Sequence, residues 1–180
     1  AQKPNSTGSG VYLTELVKEY AGMGHEQAVI AGIYKEDDVE LPEGVRFYPV
    51  YFEDEKLPFP IAGMSDEMPY RSTRYCDMTP EMTALFKEAF LTAVDQAVRE
   101  FDPELILCHH LYLLTAIVRE RYPKRCLYGF CHNTDLRQMM KTEFEREFIK
   151  EQIPKLDRIF VPQSAQRDGV RKIFGADPEK

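Results

Sequence analysis

Leu105-Ile106-Leu107-Cys108, followed directly by a helical pattern from about Leu111 to Arg121, is the stretch whose reading decides the fold. The arrangement returns in Cys126-Leu127-Tyr128-Gly129-Phe130, which leads to helical material from about Leu136 to Gln152. It returns again in Arg158-Ile159-Phe160-Val161, ahead of a helix capped by Ser164 and closed by Gly175. Short apolar runs suit strands buried on both faces, and their alternation with helices predicts parallel βαβ units joined by right-handed crossovers. The expected class is α/β: a doubly wound, Rossmann-like parallel sheet with helices on both faces.

Upstream, Leu13, Leu16, Val17 and Tyr20 recur at helical spacing, which predicts an amphipathic helix from Val11 to about Ala21, ended by Gly22 and Gly24. Strands are expected over 27–33 and 45–51, with Pro49 pushing the second toward a sheet edge because it has no N–H to donate. Thr79-Pro80-Glu81 opens a long helix, Thr79 as N-cap and Pro80 in the first turn, and Asp102-Pro103 stops it. Just before the first helix, Asn5-Ser6-Thr7-Gly8-Ser9-Gly10 lets the backbone turn tightly and present bare N–H groups beside the positive end of a helix dipole. That outlines an anion site suited to a phosphate or diphosphate, the plain alternative being a turn with Ser9 as N-cap. Leu13 stands where a dinucleotide fingerprint needs its third glycine, so a nicotinamide or flavin cofactor is disfavoured. A strand should precede such a loop, yet residues 1–4 cannot make one, and the natural first strand is expected to lie upstream of the sequence given.

The 180 residues are enough for one well-buried domain, so a single domain over 1–180 is expected. The net charge of −7 and the absence of a Lys/Arg cluster argue against nucleic acid. With no signal peptide, transit peptide or apolar run long enough to span a membrane, a cytoplasmic location is the default. Cys76, Cys108, Cys126 and Cys131 lack metal-site or redox spacing and read as small hydrophobes. A zinc site from His109, His110, His132 and a cysteine is discounted for the same reason, and no metal is expected. The irregular stretch from Glu53 to Met78, rich in Phe59, Met64, Met68, Tyr70 and Tyr75, carries too much apolar surface for a solvated linker. It is expected to face an acceptor, the alternatives being that it folds onto the core or makes a dimer contact.

The order of these signals resembles the N-terminal domain of a retaining glycosyltransferase of family 4, one half of a GT-B architecture, over almost the whole chain. Carrying the resemblance are the glycine loop, Gly22-Met23-Gly24-His25-Glu26, the strand end 101–110 with its His109-His110 pair, Phe130-Cys131-His132-Asn133-Thr134-Asp135, the strand 156–164 and the ending 174–180. The resemblance implies that Gly8, Ser9 and Gly10 approach the donor diphosphate or the acceptor, and that His109, His110, Asn133, Thr134 and Asp135 contribute to the same cleft. It further implies that His132 is the catalytic residue, hydrogen-bonding a sugar hydroxyl or stabilising developing positive charge through its backbone carbonyl. Thr7 departs from the glycine that the family often has before the loop.

The activity so implied is transfer of a sugar, with retention, from a nucleotide-sugar substrate to an acceptor that is a sugar, a lipid or a small molecule, without a cofactor. The basic residue and paired glutamates that grip the nucleotide belong in such enzymes to a C-terminal domain. The chain alone is therefore expected to be inactive, and association of the full enzyme with a membrane surface is compatible with the reading. Two alternatives remain open on the residues: a non-catalytic Rossmann-like module that binds an anion or a partner protein, and half of a sugar-nucleotide epimerase.

Overall fold

The structure, a computed structural model, describes residues 3–178. The chain divides into two compact units, Ala1–Asp102 and Pro103–Lys180. Every strand pair among the described residues is parallel, in sheets of two, two and three strands, and six α-helices accompany them. The α/β, Rossmann-like expectation holds. The single continuous sheet is replaced by these three smaller ones.

In the first unit, helix α1 (Gly8–Gly22) begins three residues before the expected Val11. Its N-cap is Thr7, whose Oγ1 accepts the Gly10 N–H at 3.2 Å, while the Thr7 carbonyl accepts the Val11 N–H at 2.8 Å. Gly8, Ser9 and Gly10 are thus the first turn of the helix and not a turn ahead of it, and Ser9 is not the cap. Strands β1 (Ala28–Ile33) and β2 (Arg46–Tyr51) pair in register from Ala28 opposite Arg46 to Ile33 opposite Tyr51, which sets Pro49 opposite Ala31. Between them, Tyr34 and Asp37 close a turn: the Tyr34 N–H donates to Asp37 Oδ2 at 2.8 Å.

The segment 53–78 contributes the two-residue strands β3 (Ala62–Gly63) and β4 (Thr73–Arg74) and a 3₁₀ turn, Tyr75–Asp77. Its apolar side chains mostly turn inward. Leu57, Phe59, Ile61, Met64, Tyr75 and Met78 are buried, whereas Met68 and Tyr70 are half-buried. Helix α2 (Pro80–Phe101) supplies the matching face through Phe86, Phe90, Ala93, Val94 and Ala97 and packs on β1 and β2. Phe52 lies within ring-contact distance of Phe59 (5.8 Å), Phe90 (6.1 Å) and Phe86 (6.4 Å), and Tyr75 reaches Phe86 at 6.2 Å. The expectation that Phe59, Met64 and Tyr75 face an acceptor is therefore corrected. With only short strands available, the unit closes its apolar interior with the irregular segment, because burying such side chains is worth about 1.5–3 kcal/mol each.

In the second unit, β5 (Ile106–His109), β6 (Leu127–Phe130) and β7 (Arg158–Phe160) lie side by side in that order. Helix α3 (Leu113–Arg121) joins the first pair of strands; α4 (Asn133–Lys141) and α5 (Arg146–Gln152) join the second; α6 (Ser164–Phe174) follows the last. The expected helix over 136–152 is two helices, because Thr142 is extended and Glu145 is left-handed at φ 49°. Arg146 bridges the break, its guanidinium donating to the Met139 carbonyl at 2.6 Å. Helix α6 starts at Ser164 with Gln163 as N-cap and no side-chain hydrogen bond there, so Ser164 is the first helical residue, not the cap. Gly175 does close it, left-handed at φ 65°.

Gly129 in β6 has no room for a side chain, since a Cβ would come within 2.6 Å of Leu111 and 2.8 Å of Leu156. Buried Arg119 staples the far edge of the unit, donating to Asp157 Oδ2 at 3.1 Å and to the carbonyls of Tyr122 and Arg125. The same Asp157 oxygen accepts the Leu127 N–H at 2.9 Å, which ties the start of β6 to the approach of β7.

At the opening of α2, Thr79 Oγ1 accepts the Met82 N–H at 3.2 Å, as the sequence predicts. Replacing Thr79 by Ala leaves that N–H to water and is expected to lower stability by about 1 kcal/mol. A urea midpoint identical to that of the unchanged chain would show that the cap contributes nothing.

Candidate functional site

The carboxyl ends of β5 and β6 bring His109, His110, His132, Asn133, Thr134 and Asp135 into one neighbourhood of the second unit. His109 ends β5 and its ring stacks on Phe130 of β6 at 5.0 Å and 9°, and Phe130 in turn stacks on Phe160 of β7 at 5.1 Å. Adjacent parallel strands put these rings in register, so the histidine belongs to an aromatic ladder across the sheet. The His132 ring lies 4.5 Å from that of His110 and 6.0 Å from that of His109.

His110 leaves the strand with φ 71°, a left-handed conformation that costs a non-glycine residue about 1–2 kcal/mol. Three hydrogen bonds determine it. Its N–H donates to the Phe130 carbonyl at 3.0 Å, its carbonyl accepts the hydroxyl of buried Thr115, and its Nδ1 lies 2.6 Å from Asp135 Oδ1.

Asp135 is the fixed point of the neighbourhood. It is fully buried, in the first turn of α4, and its Oδ2 accepts the N–H of His132 and the N–H of Leu111, each at 2.8 Å. The carboxylate therefore ties the loop between β5 and α3 to the loop between β6 and α4. Both of its oxygens are engaged by groups of the protein. Asn133 is exposed on the first turn of α4, and Thr134 Oγ1 is buried without a hydrogen-bond partner. Gly8, Ser9 and Gly10 lie in the other unit, at the N-terminus of α1; Gly8 is exposed, and a Cβ there would meet nothing within 4 Å.

Burial sets the protonation of the rings. It pushes the His109 imidazolium down to about 3, with His132 and His110 adding to the shift, and pushes His132 down to about 4, with His110 adding again. Both rings are accordingly neutral near pH 7, each with one donor and one acceptor nitrogen. Desolvation likewise drives the thiols of half-buried Cys108 up to about 12 and of buried Cys131 up as well, so both stay protonated near pH 7. Among the described residues, no group of three or more His, Cys, Asp or Glu is arranged to hold a metal ion. Likewise, none of the described helices is long and apolar enough to cross a membrane.

Sequence reasoning finds the histidines through their place at strand ends. It misses Thr115 and the Phe130–Phe160 ladder. The ladder is readable as aromatic residues at equivalent ends of successive strands, whereas Thr115 carries no signal beyond its spacing from His110.

The depressed histidines make stability depend on pH in a definite sense. An unfolded histidine takes up a proton near its ordinary 6.5, while the folded rings of His109 and His132 stay neutral until about 3 and 4. Between these limits the unfolded chain binds more protons, so their contribution to stability is complete above about 6.5 and is lost as the pH falls. Denaturant midpoints followed from pH 7 to pH 4.5 should fall, and His132→Gln should reduce the pH slope by about one bound proton. An unchanged slope in that variant would show that the ring is not held neutral by the fold.

No curated protein matches the chain. The family model described as Glycosyltransferase Family 4 matches residues 6–180, nearly the whole sequence. The chain thus belongs to Glycosyltransferase Family 4.

Proposed function

We propose that this chain is the acceptor-side domain of an enzyme that moves a sugar from a nucleotide sugar to an acceptor with retention of anomeric configuration, in concert with a second domain that grips the nucleotide. The observation that carries the reading is the gathering of His109, His110 and His132, with Asn133 and Thr134, where β5 and β6 end. Open parallel sheets bind their ligands at that edge. A neutral His132 ring offers a donor and an acceptor, which suits a sugar hydroxyl, and the unpartnered Thr134 hydroxyl offers another polar contact. The His132 carbonyl accepts the Asp135 N–H at 2.9 Å and keeps a second lone pair, so carbonyl and imidazole can each meet the sugar.

Breaking the bond to the anomeric carbon leaves negative charge on the departing diphosphate. The N-terminus of α1, where Gly8 carries no side chain, is by itself suited to an anion such as a phosphate. Asp135 is removed from the ligand-binding group and becomes a residue that positions the others. The nucleotide sugar is a substrate, and no metal or other cofactor enters the proposal. The acceptor class stays broad: a sugar, a lipid or a small molecule.

Two measurements test the reading. With the full-length enzyme, NMR of the first-formed product should show the donor's anomeric configuration retained; an inverted product would overturn the assignment. His132→Ala in the same enzyme is expected to lower kcat/KM by about tenfold or more, the scale of a lost hydrogen bond to the transition state. The 180-residue chain alone is expected to bind ligands without turnover, and sugar transfer by it would refute the division of labour.

A further inference from the structure

Asp135 presents its two oxygens to three donors drawn from two loops. Oδ2 accepts the N–H groups of Leu111 and His132, and Oδ1 faces His110 Nδ1 at 2.6 Å. A carboxylate only accepts, so the His110 nitrogen that faces it must carry a proton. The His110 ring so held is the one against which His132 rests, at 4.5 Å and a tilt of 44°. The grip on the His132 backbone N–H and the contact of its ring with His110 both lead back to Asp135, beside the wider ring contact with His109 at 6.0 Å. We propose that Asp135 and His110 form a positioning pair for His132, in which the carboxylate fixes His110 as its Nδ1–H tautomer and the ring so fixed sets the orientation of the His132 imidazole.

This inference rests on His132 as the sugar-facing group only for its purpose; the arrangement itself is testable without any substrate. Asp135→Asn separates the pair from ordinary helix capping. Two backbone N–H groups compete for an acceptor at the Oδ2 position, so the amide oxygen of Asn must take that place and its NH₂ must face His110. His110 Nδ1 then has to accept, and the ring proton moves to Nε2. A residue that merely capped the helix would leave the tautomer of His110 unchanged.

Nitrogen-15 NMR of the histidine rings in this chain reads the outcome directly. In the unchanged chain, His110 should show a protonated Nδ1. In Asp135→Asn that proton should leave Nδ1, with a simultaneous shift of the His132 ring signals. The proposal is overturned if His110 of the unchanged chain is the Nε2–H tautomer, or if the tautomer exchanges while His132 stays as it was.

Should Asp135→Asn fail to fold, His110→Gln carries the test. A glutamine amide can still donate to Asp135 Oδ1 while the ring contact with His132 disappears, so the His132 signals must move, and static ones would again overturn the proposal. No sugar or nucleotide enters these measurements. Their failure would therefore leave the glycosyltransferase reading standing, and an inverted or absent transfer product would leave the positioning pair standing.

Discussion

A single buried carboxylate organises the second unit. Asp135 has no contact with water, and the loops that follow β5 and β6 reach it through the N–H groups of Leu111 and His132 and the ring of His110. A buried ion is tolerated only where hydrogen bonds replace its hydration, and here backbone and imidazole donors do so. The exchange works in both directions. Without the carboxylate, two backbone N–H groups and an imidazole would lose their acceptor, and the left-handed backbone of His110 would keep only its bonds to Phe130 and Thr115.

The first unit is stabilised differently. Its strands are few and short, and its interior is closed by the rings of Phe52, Phe59, Tyr75, Phe86 and Phe90, drawn from a strand end, an irregular segment and a long helix. Polar ties hold the irregular segment in place. Tyr34 Oη accepts the Ile61 N–H at 3.2 Å and donates to the Arg71 carbonyl, so one phenol pins the segment at two places ten residues apart. Lys3 adds a third tie, its ammonium 2.6 Å from Asp37 Oδ1 and over the faces of Tyr34 and Tyr70.

Much of this was legible in the residues themselves. The alternation of apolar runs and helical patterns after Leu105 locates β5, β6, β7 and their helices to within a few residues. Thr79-Pro80 and Gly175 mark helix ends because their chemistry is local: an accepting hydroxyl, a fixed φ, a missing Cβ. The errors share a different origin. Thr7 and not Ser9 caps α1, since both hydroxyls suit the role and only the path of the chain chooses between them. The break after Lys141 depends on Arg146 reaching back to Met139, a contact without periodicity. At the site, histidines at strand ends were readable, but the inward direction of Asp135 was not. A carboxylate in the first turn of a helix looks the same in sequence whether it meets a ligand or two neighbouring loops.

The opening of α1 has a thermodynamic side. Glycine is about 1 kcal/mol worse than alanine inside a helix, because the unfolded backbone gives up more freedom, and α1 places two glycines in its first turn. That turn is held chiefly by the Thr7 side chain and by Thr14, whose hydroxyl donates to the Gly10 carbonyl at 3.0 Å. The Thr7 cap and the Thr14 hydroxyl thus offset, at the start of the helix, the backbone freedom that its glycines give up.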